Sequence, residues 1–568
     1  MGSAAQYLVL IDTGAKQSFI FGTNKRRANV GASELIRRVG TDWINEACKG
    51  KPGVATIISA SGTAMLKVED RSVGEDIIEA ITRKALKDAP GLGVWGIVAQ
   101  EPIAEEHTDD DSCLCPGCQL EPLHEELAAL RLRSGHPAQR FPALPFTQPC
   151  QFTGLPAVTF VREAPRLPWR PAGGAFHAAF RAGGGVDSGS AIGRLHDIAC
   201  KATHILGCGD QSSCPVQTCL NPPEGELDDR YDPVRNAGWI AIIHADGNGI
   251  GQKFIDIGRQ GADATDALHH LSHELDEVTR AAVAAATANI QRTRKDGDSD
   301  WPPERWLLPL IVAGDDVTVI CDGRLAFDFT HQFMQEFASK AEAAADEVPG
   351  LAGATASAGI VFIKPHHPFS DAYQLAEQLC GSAKTLSRAA GGVGAIDFHV
   401  LHDTTGRDLG VIRRRLVVDP PPGAGEAATG VTSDLEKLRL WAGPVLDQEP
   451  SPGVQPSFAT VQALQDACAY VGADEDSVIS RSAVHSLREA LLRGGSAITE
   501  AQDRVVLRAG DHAKAEGAVA ATVDVLNKPI SGTQDHLSYI IDALALVEVL
   551  DGEPLISDPP PSNEEGAA

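Results

Sequence analysis

The stretch LLPLIVAGDDVTVICDG, Leu307–Gly323, decides how the chain is read. Apolar residues run to Ala313 and resume at Val317, with Gly314, Asp315 and Asp316 between them. Short β-branched runs on both sides predict two strands joined by a tight turn. A hairpin turn alone accounts for Gly and Asp, which are common there. Two adjacent carboxylates between otherwise buried strands therefore need a second observation before they count as chemistry.

Upstream, IAIIHADGNGIGQKF places Asp246 at the end of an apolar strand, followed by Gly247, Asn248, Gly249 and Gly251. A long helical pattern, DATDALHHLSHELDEVTRAAVAAATANIQR, separates this strand from the acidic hairpin. A helix from about Arg324 to Glu347, a strand over Ala354–Lys364, a helix over SDAYQLAEQLCGSAKTLSRAA and a strand GAIDFHVL follow. The order is β-α-β-β-α-β, then α-β, which predicts a ferredoxin-like sheet with helices on one face.

The N-terminal region repeats the order. YLVLIDT is a strand, and GASELIRRVGTDWINEAC is a helix with Ser33 as a candidate cap. VATIISASGTAMLKVED is a hairpin, VGEDIIEAITRKALKDA a helix and GLGVWGIVA a strand. Aligned on the hairpins, TIISASGTAML stands where LIVAGDDVTVI stands later; the acids are gone and only Asp12 remains, matching Asp246.

In a β-α-β-β fold the first strand lies beside the hairpin, so Asp246 converges with Asp315 and Asp316. Three carboxylates at one sheet end repel one another unless cations neutralise them. Magnesium takes such oxygen ligands together with substrate phosphates. Two ions could activate a hydroxyl and stabilise a departing pyrophosphate. The glycines at 247, 249, 251 and 314 allow backbone to approach phosphate at a helix N-terminus, and Lys384 is a candidate phosphate contact or an ordinary solvated lysine.

The chain has 568 residues, 43% apolar, with a net charge of −27. That length suits roughly three or four domains. The acidity excludes a general polyanion binder but not a local, metal-held nucleotide site. No run approaches the ~18 apolar residues of a membrane span, and no targeting segment is visible, so a soluble cytoplasmic protein is expected.

HADGNGIGQKF, VAGDDVTV, SAGIVFIKPHHPFSDAYQLAEQLCGSAK and GAIDFHVL resemble the active palm of the large polymerase-like subunit of type III CRISPR effector complexes. That palm is kin to those of GGDEF cyclases and adenylate cyclases. The resemblance covers residues 238–402. LVLIDTGAKQSFIFGTNKRRANVGASELI is similar to the acid-free first palm of the family. The family's G-G-D-D hairpin here has Ala313 in place of its first glycine. The resemblance implies cyclic oligoadenylate synthesis from ATP with magnesium or manganese. Asp246, Asp315 and Asp316 would fall on the metal site, and Ser357 and Lys384 on the pocket side. Many members begin with an HD nuclease domain, whereas this chain starts almost at once with the first palm. His196-Asp197 lacks companion histidines at nuclease spacing and reads as structural. A stand-alone member without the nuclease domain, or a subunit of a variant complex, is expected.

Seven of the 12 cysteines lie in two clusters, which in a cytoplasmic protein suggests metal rather than disulfides. The C-P-G-C knuckle supplies Cys115 and Cys118 for a structural zinc, with Cys150 and Cys113 completing it and His107 or His124 as substitutes. Cys200, Cys208, Cys214 and Cys219 form a second candidate zinc set. His269 and His273 lie one turn apart, as a ligand pair or as a solvated helix face. NKRRANVGASELIRR and IRRRL are basic stretches, either solvated surface or local contacts to RNA phosphates.

The expected architecture is α+β. A degenerate first palm (residues 1–100) precedes a Cys-rich zinc-binding insert (101–237). A catalytic second palm (238–405), a linker (406–431), a C-terminal helical domain (432–550) and a disordered tail (551–568) follow. The expected function is synthesis of a cyclic oligonucleotide messenger from ATP or another NTP. Its alternatives are a non-catalytic scaffold binding guide or target RNA and CRISPR subunits, and a homo-oligomeric, GGDEF-like cyclic dinucleotide cyclase.

Overall fold

The structure is a computed structural model. It describes residues 6–60, 62–104, 107–108, 113–135, 141, 143–163, 167–183, 237–260, 264–293, 306–402, 408–418, 438–439, 443–448 and shorter runs between 460 and 557.

The first sheet is built from β1 (Tyr7–Gly14), β2 (Val54–Ala60), β3 (Thr63–Val68) and β4 (Gly93–Val98), with α1 (Lys16–Ile20), α2 (Arg26–Gly40), α3 (Asp42–Cys48) and α4 (Arg71–Asp88) between them. Its strand order is β2-β3-β1-β4, antiparallel throughout. One expected helix is two. The chain breaks at Thr41, where φ is −122° and ψ −86°, and Arg37 spans the break to Glu34 at 2.9 Å and Asp42 at 2.7 Å. Nor does Ser33 cap a helix. α2 starts seven residues earlier, and the buried Ser33 hydroxyl instead donates to Leu310 O. A bulge between Pro309 and Ile311 leaves that carbonyl outside the regular ladder.

α5 (Pro116–Ser134), β5 (Ala157–Val161), β6 (Arg170–Gly173) and α6 (Gly174–Ala182) form the described part of the insert. α5 lies in the stretch expected as the Cys-rich insert, for which no helix was read from the sequence. Leu120, Leu123 and Leu127 recur at helical spacing and are buried, and Pro122 masks that pattern.

The second sheet contains β7 (Ile240–Gly247), β8 (Leu307–Ala313), β9 (Asp316–Asp322), β10 (Ala356–Ile363), β11 (Ala395–Val400) and β14 (Val445–Leu446), in the order β14-β11-β10-β7-β9-β8. The two-residue strands β12 (Val417–Val418) and β13 (Leu438–Arg439) pair separately. The helices are α7 (Ile250–Gly258), α8 (Ala264–Thr293), α9 (Gly323–Ala344), α10 (Phe369–Ala389), α11 (Leu409–Arg415) and α12 (Ser538–Leu550). β8, β9, β7 and β10 follow one another as β2, β3, β1 and β4 do in the first sheet. β11 then runs parallel to β10 across the α10 crossover.

Side-chain alternation explains why β7 is nearly all apolar. Ala241, Ile243 and Ala245 enter one core with α8 and α9, whereas Ile240 and Ile242 enter the other with α10. The first sheet splits the same way: Leu8 and Leu10 join the former core, Val9 and Ile11 the latter. Both cores therefore run through both sheets. Most of the expected C-terminal helical domain, residues 432–550, lies outside the described residues. No helix among the described residues is long and apolar enough to cross a membrane.

Candidate active site and cysteine-histidine cluster

Asp246 is the penultimate residue of β7, and the β7–β9 ladder reaches Ala245 opposite Val317. Asp246 therefore stands beside Asp316, the first residue of β9, with Asp315 in the two-residue turn. Gly247 makes this approach feasible: a Cβ there would lie 2.5 Å from Ile250 Cγ1, 2.9 Å from Asp315 Cβ and 3.0 Å from Asp315 Oδ2. Gly247→Ala should thus push the turn away from β7. We expect product formation to drop by about tenfold or more with the far-ultraviolet spectrum unchanged, at an overpacking cost of about 1–3 kcal/mol. Unaltered turnover would contradict this.

Burial, and after it the neighbouring Asp246 and Asp316, pushes the Asp315 carboxyl up to about 7. Burial also raises Asp316, opposed first by His244 and reinforced by Asp246. Asp316 Oδ1 is sealed from solvent and accepts no hydrogen bond, with His244 Nδ1 3.5 Å away. Lys384, on α10, places Nζ 2.5 Å from Asp246 Oδ2 and 2.9 Å from Gly247 O. Within bonding reach, Lys384 and His244 stand against three crowded carboxylates, one of which has an orphaned buried oxygen. Hard divalent cations fit this donor set.

The neighbouring glycine turn is braced from one side and open on the other. Asn248 N donates to Thr355 O at 2.8 Å, its Nδ2 to Thr355 Oγ1 at 2.9 Å, and its Oδ1 accepts from Ser357 Oγ at 2.9 Å. Ser357, paired with Asp246 in register, is fully buried. It therefore braces Asn248 and does not line the open side, where the sequence reading had placed it. A Cβ at Gly249, at Gly251 or at Gly314 would meet nothing within 4 Å.

Sequence reasoning passed over His244, two residues before Asp246 and so on the same strand face. His244 also lies 3.2 Å from Thr318 Oγ1 and 3.5 Å from Tyr373 Oη. It also passed over Lys16. In the first sheet Asp12 pairs in register with Thr63, as Asp246 stands beside Asp316. There Lys16 Nζ lies 3.5 Å from Asp12 and 3.4 Å from Thr63 Oγ1, and Arg131 of α5 bonds Asp12 directly. Protein cations thus occupy the first sheet's equivalent of the acid site. Lys16 also favours ionised Asp316, so the first sheet contributes charge to the second sheet's site.

The Cys/His cluster differs from expectation in one ligand. His107, Cys113, Cys115 and Cys118 place one ligand atom each within 4.8 Å of one another, and they could hold a metal ion. Cys150 is not among them; it is buried in the other core, its Sγ accepting from Phe152 N at 3.4 Å. His124 is not among them either, and burial lowers its pKa. His107 takes the fourth place, its Nδ1 lying 3.3 Å from Cys113 Sγ and 3.4 Å from Cys115 Sγ. Cys200, Cys208, Cys214, Cys219 and the His196-Asp197 dipeptide lie outside the described residues. His269 and His273 are exposed on α8, and His269 Nδ1 lies 3.2 Å from Ile57 O, which docks α8 on β2.

A ferredoxin-like sheet with a carboxylate cluster at the β1-equivalent strand and hairpin defines a palm domain. Residues 239–390 match the family model described as Cas10/Cmr2, second palm domain, so the chain carries a Cas10-like palm over that segment. Among solved structures, the chain is similar to the Csm1-Csm4 cassette in complex with cA4, at 12% identity and TM-score 0.42, covering 70% of this chain and 55% of that one. It is also similar to the cassette in complex with pppApApA, at 13% identity and TM-score 0.49, covering 96% and 70%. The Csm1-Csm4 subcomplex of the type III-A CRISPR-Csm interference complex matches at 14% identity and TM-score 0.40, covering 74% and 56%. The chain spans about half the length of the first of these. No curated protein matches the chain.

Proposed function

We propose that the chain is a divalent-metal-dependent nucleotidyltransferase that joins ATP into a cyclic oligonucleotide. One observation carries this reading: Asp246, Asp315 and Asp316 converge at an open sheet end, whereas the first sheet neutralises Asp12 with Lys16 and Arg131. Neutralised, the site would be structural; left acidic and open beside a glycine turn, it suits cations and phosphate. Adenine as the base follows from the family resemblance in the sequence.

Asp246, Asp315 and Asp316 would hold the ions, as the matched palm and the orphaned Asp316 Oδ1 suggest. When bound, such ions acidify a ribose hydroxyl and neutralise the leaving pyrophosphate. The chain's own residues bind and orient. The Gly249–Gly251 backbone opens the N-terminus of α7 to phosphate. Lys384 pairs with Asp246 in the free protein and would be free to reach the triphosphate if cations satisfied that carboxylate. Zinc would occupy the Cys/His cluster as a structural ion. NTP, CRISPR subunits and guide or target RNA are the partners this reading implies.

The test is incubation with each NTP and magnesium or manganese, with and without RNA, and mass analysis of the products. A cyclic or linear 3′–5′ or 2′–5′ linked oligonucleotide is expected; none under any condition defeats the reading. Lys384→Met should raise the nucleotide concentration at half-saturation about tenfold through loss of a charge-assisted hydrogen bond. An unchanged half-saturation would remove Lys384 from the phosphate site.

A further inference from the structure

On that reading of the acid site, we infer that Asp276 and Thr279 of α8 are positioning residues that set the tip of the acidic hairpin and hence the aim of Asp315 and Asp316. The β8–β9 ladder ends at the pair Ala313–Asp316, so no ladder bond reaches Gly314. Gly314 has a φ of 59°, in the left-handed region, and its peptide groups are held from outside the sheet. Gly314 N donates to Asp276 Oδ1 at 3.0 Å, and Thr279 Oγ1 lies 2.5 Å from Gly314 O. The Thr279 hydroxyl has a second acceptor, Leu275 O at 2.9 Å, and the shorter contact is to the tip. Arg280 holds the other Asp276 oxygen at 2.8 Å. The two helix residues thus clamp both peptide groups of Gly314. The peptide joining Gly314 to Asp315 places the N–Cα bond from which the Asp315 side chain departs, so the clamp sets where the carboxylate is presented.

The same helix face reaches the first sheet. Thr265 Oγ1 lies 3.1 Å from Lys67 Nζ, and His269 Nδ1 3.2 Å from Ile57 O. Thr265, His269, Asp276 and Thr279 fall within roughly 80° of arc at 100° per residue. α8 therefore references the catalytic tip to the β2–β3 hairpin of the first sheet, and not to the tip's own ladder.

The test uses the full chain free of nucleotide, with manganese binding read by calorimetry and ATP turnover read alongside. Thr279→Val and Asp276→Ala should each weaken manganese binding and lower kcat by about 10–100-fold, as loss of outer-shell support does at metal sites, with KM for ATP held within about twofold. Thr279→Ser keeps the hydroxyl and Asp276→Asn keeps an acceptor for Gly314 N; both should stay within about threefold of the native protein. Native manganese affinity and kcat in folded Thr279→Val and Asp276→Ala would overturn the inference. Should Thr279→Val fail to fold, Asp276→Ala, at the half-buried position, decides. Asp315→Asn is the control. If it leaves binding and turnover intact, the acid-site reading has failed; if it abolishes both while the α8 variants match the native protein, only the positioning role has failed.

Discussion

Asp315→Asn is expected to melt above the native protein at pH 8 in metal-free buffer while product formation falls by on the order of 10²–10³. The two effects share one cause. Burial and the adjoining Asp246 hold the Asp315 carboxyl at about 7 in the folded chain, whereas an unfolded aspartate ionises near ~4. Between those values the folded state binds more protons, so this group's contribution to stability falls as pH rises through the window and is at its least favourable above about 7. Asparagine removes that deficit, and a gain on the order of 3 °C follows. Near pH 4 the native carboxyl is already protonated in the fold and the gain should vanish. Catalysis moves the other way because the charge that strains the metal-free fold is the charge that attracts a cation. A lower melting temperature at pH 8, or turnover near native, would contradict the assignment.

Loss of metal from the Cys/His cluster is expected to be the largest stability effect. The protein should carry one tightly held zinc per cluster, and Cys118→Ser or chelation should lower the melting temperature by on the order of 10 °C. The thiols conflict without a cation. Backbone N–H groups of Thr108 and Cys115 bring Cys113 down to about 6, while burial pushes Cys115 up to about 11. A bound zinc would resolve the conflict, with Cys113, Cys115, Cys118 and His107 as the residues that would hold it. The cluster also starts α5. From there Leu120, Leu123 and Leu127 enter the core shared with Leu8 and Leu10, and Arg131 reaches Asp12. Metal loss should therefore loosen the first sheet as well as the knuckle. Elemental analysis without zinc in freshly purified protein, or an unchanged melting curve after chelation, would refute this.

Local pattern carried much of the site. Asp246, Gly314, Asp315 and Asp316 were legible because a strand-turn-strand with acids stands beside a copy of itself without them. The Cys-Pro-Gly-Cys knuckle was legible because two of its ligands sit within one turn. For the other two places the sequence offered Cys113, Cys150, His107 and His124, and distance in space selects Cys113 and His107. Ser33 misled for a related reason. Serine is a frequent helix cap, yet here its hydroxyl meets a carbonyl freed by a bulge some 280 residues later.

The order of the main strands, the repeated hairpin and the one acid-bearing copy could be read from the sequence, because those depend on residue types a few positions apart. What neutralises each carboxylate is set by contacts across the fold. Lys384 meets Asp246, and Arg131 and Lys16 meet Asp12. Asp276 and Thr279 hold Gly314 across 38 and 35 residues. A charge or a hydrogen-bond donor acts through distance in space, and nothing in the local pattern of a helix states which turn of a distant hairpin it will face.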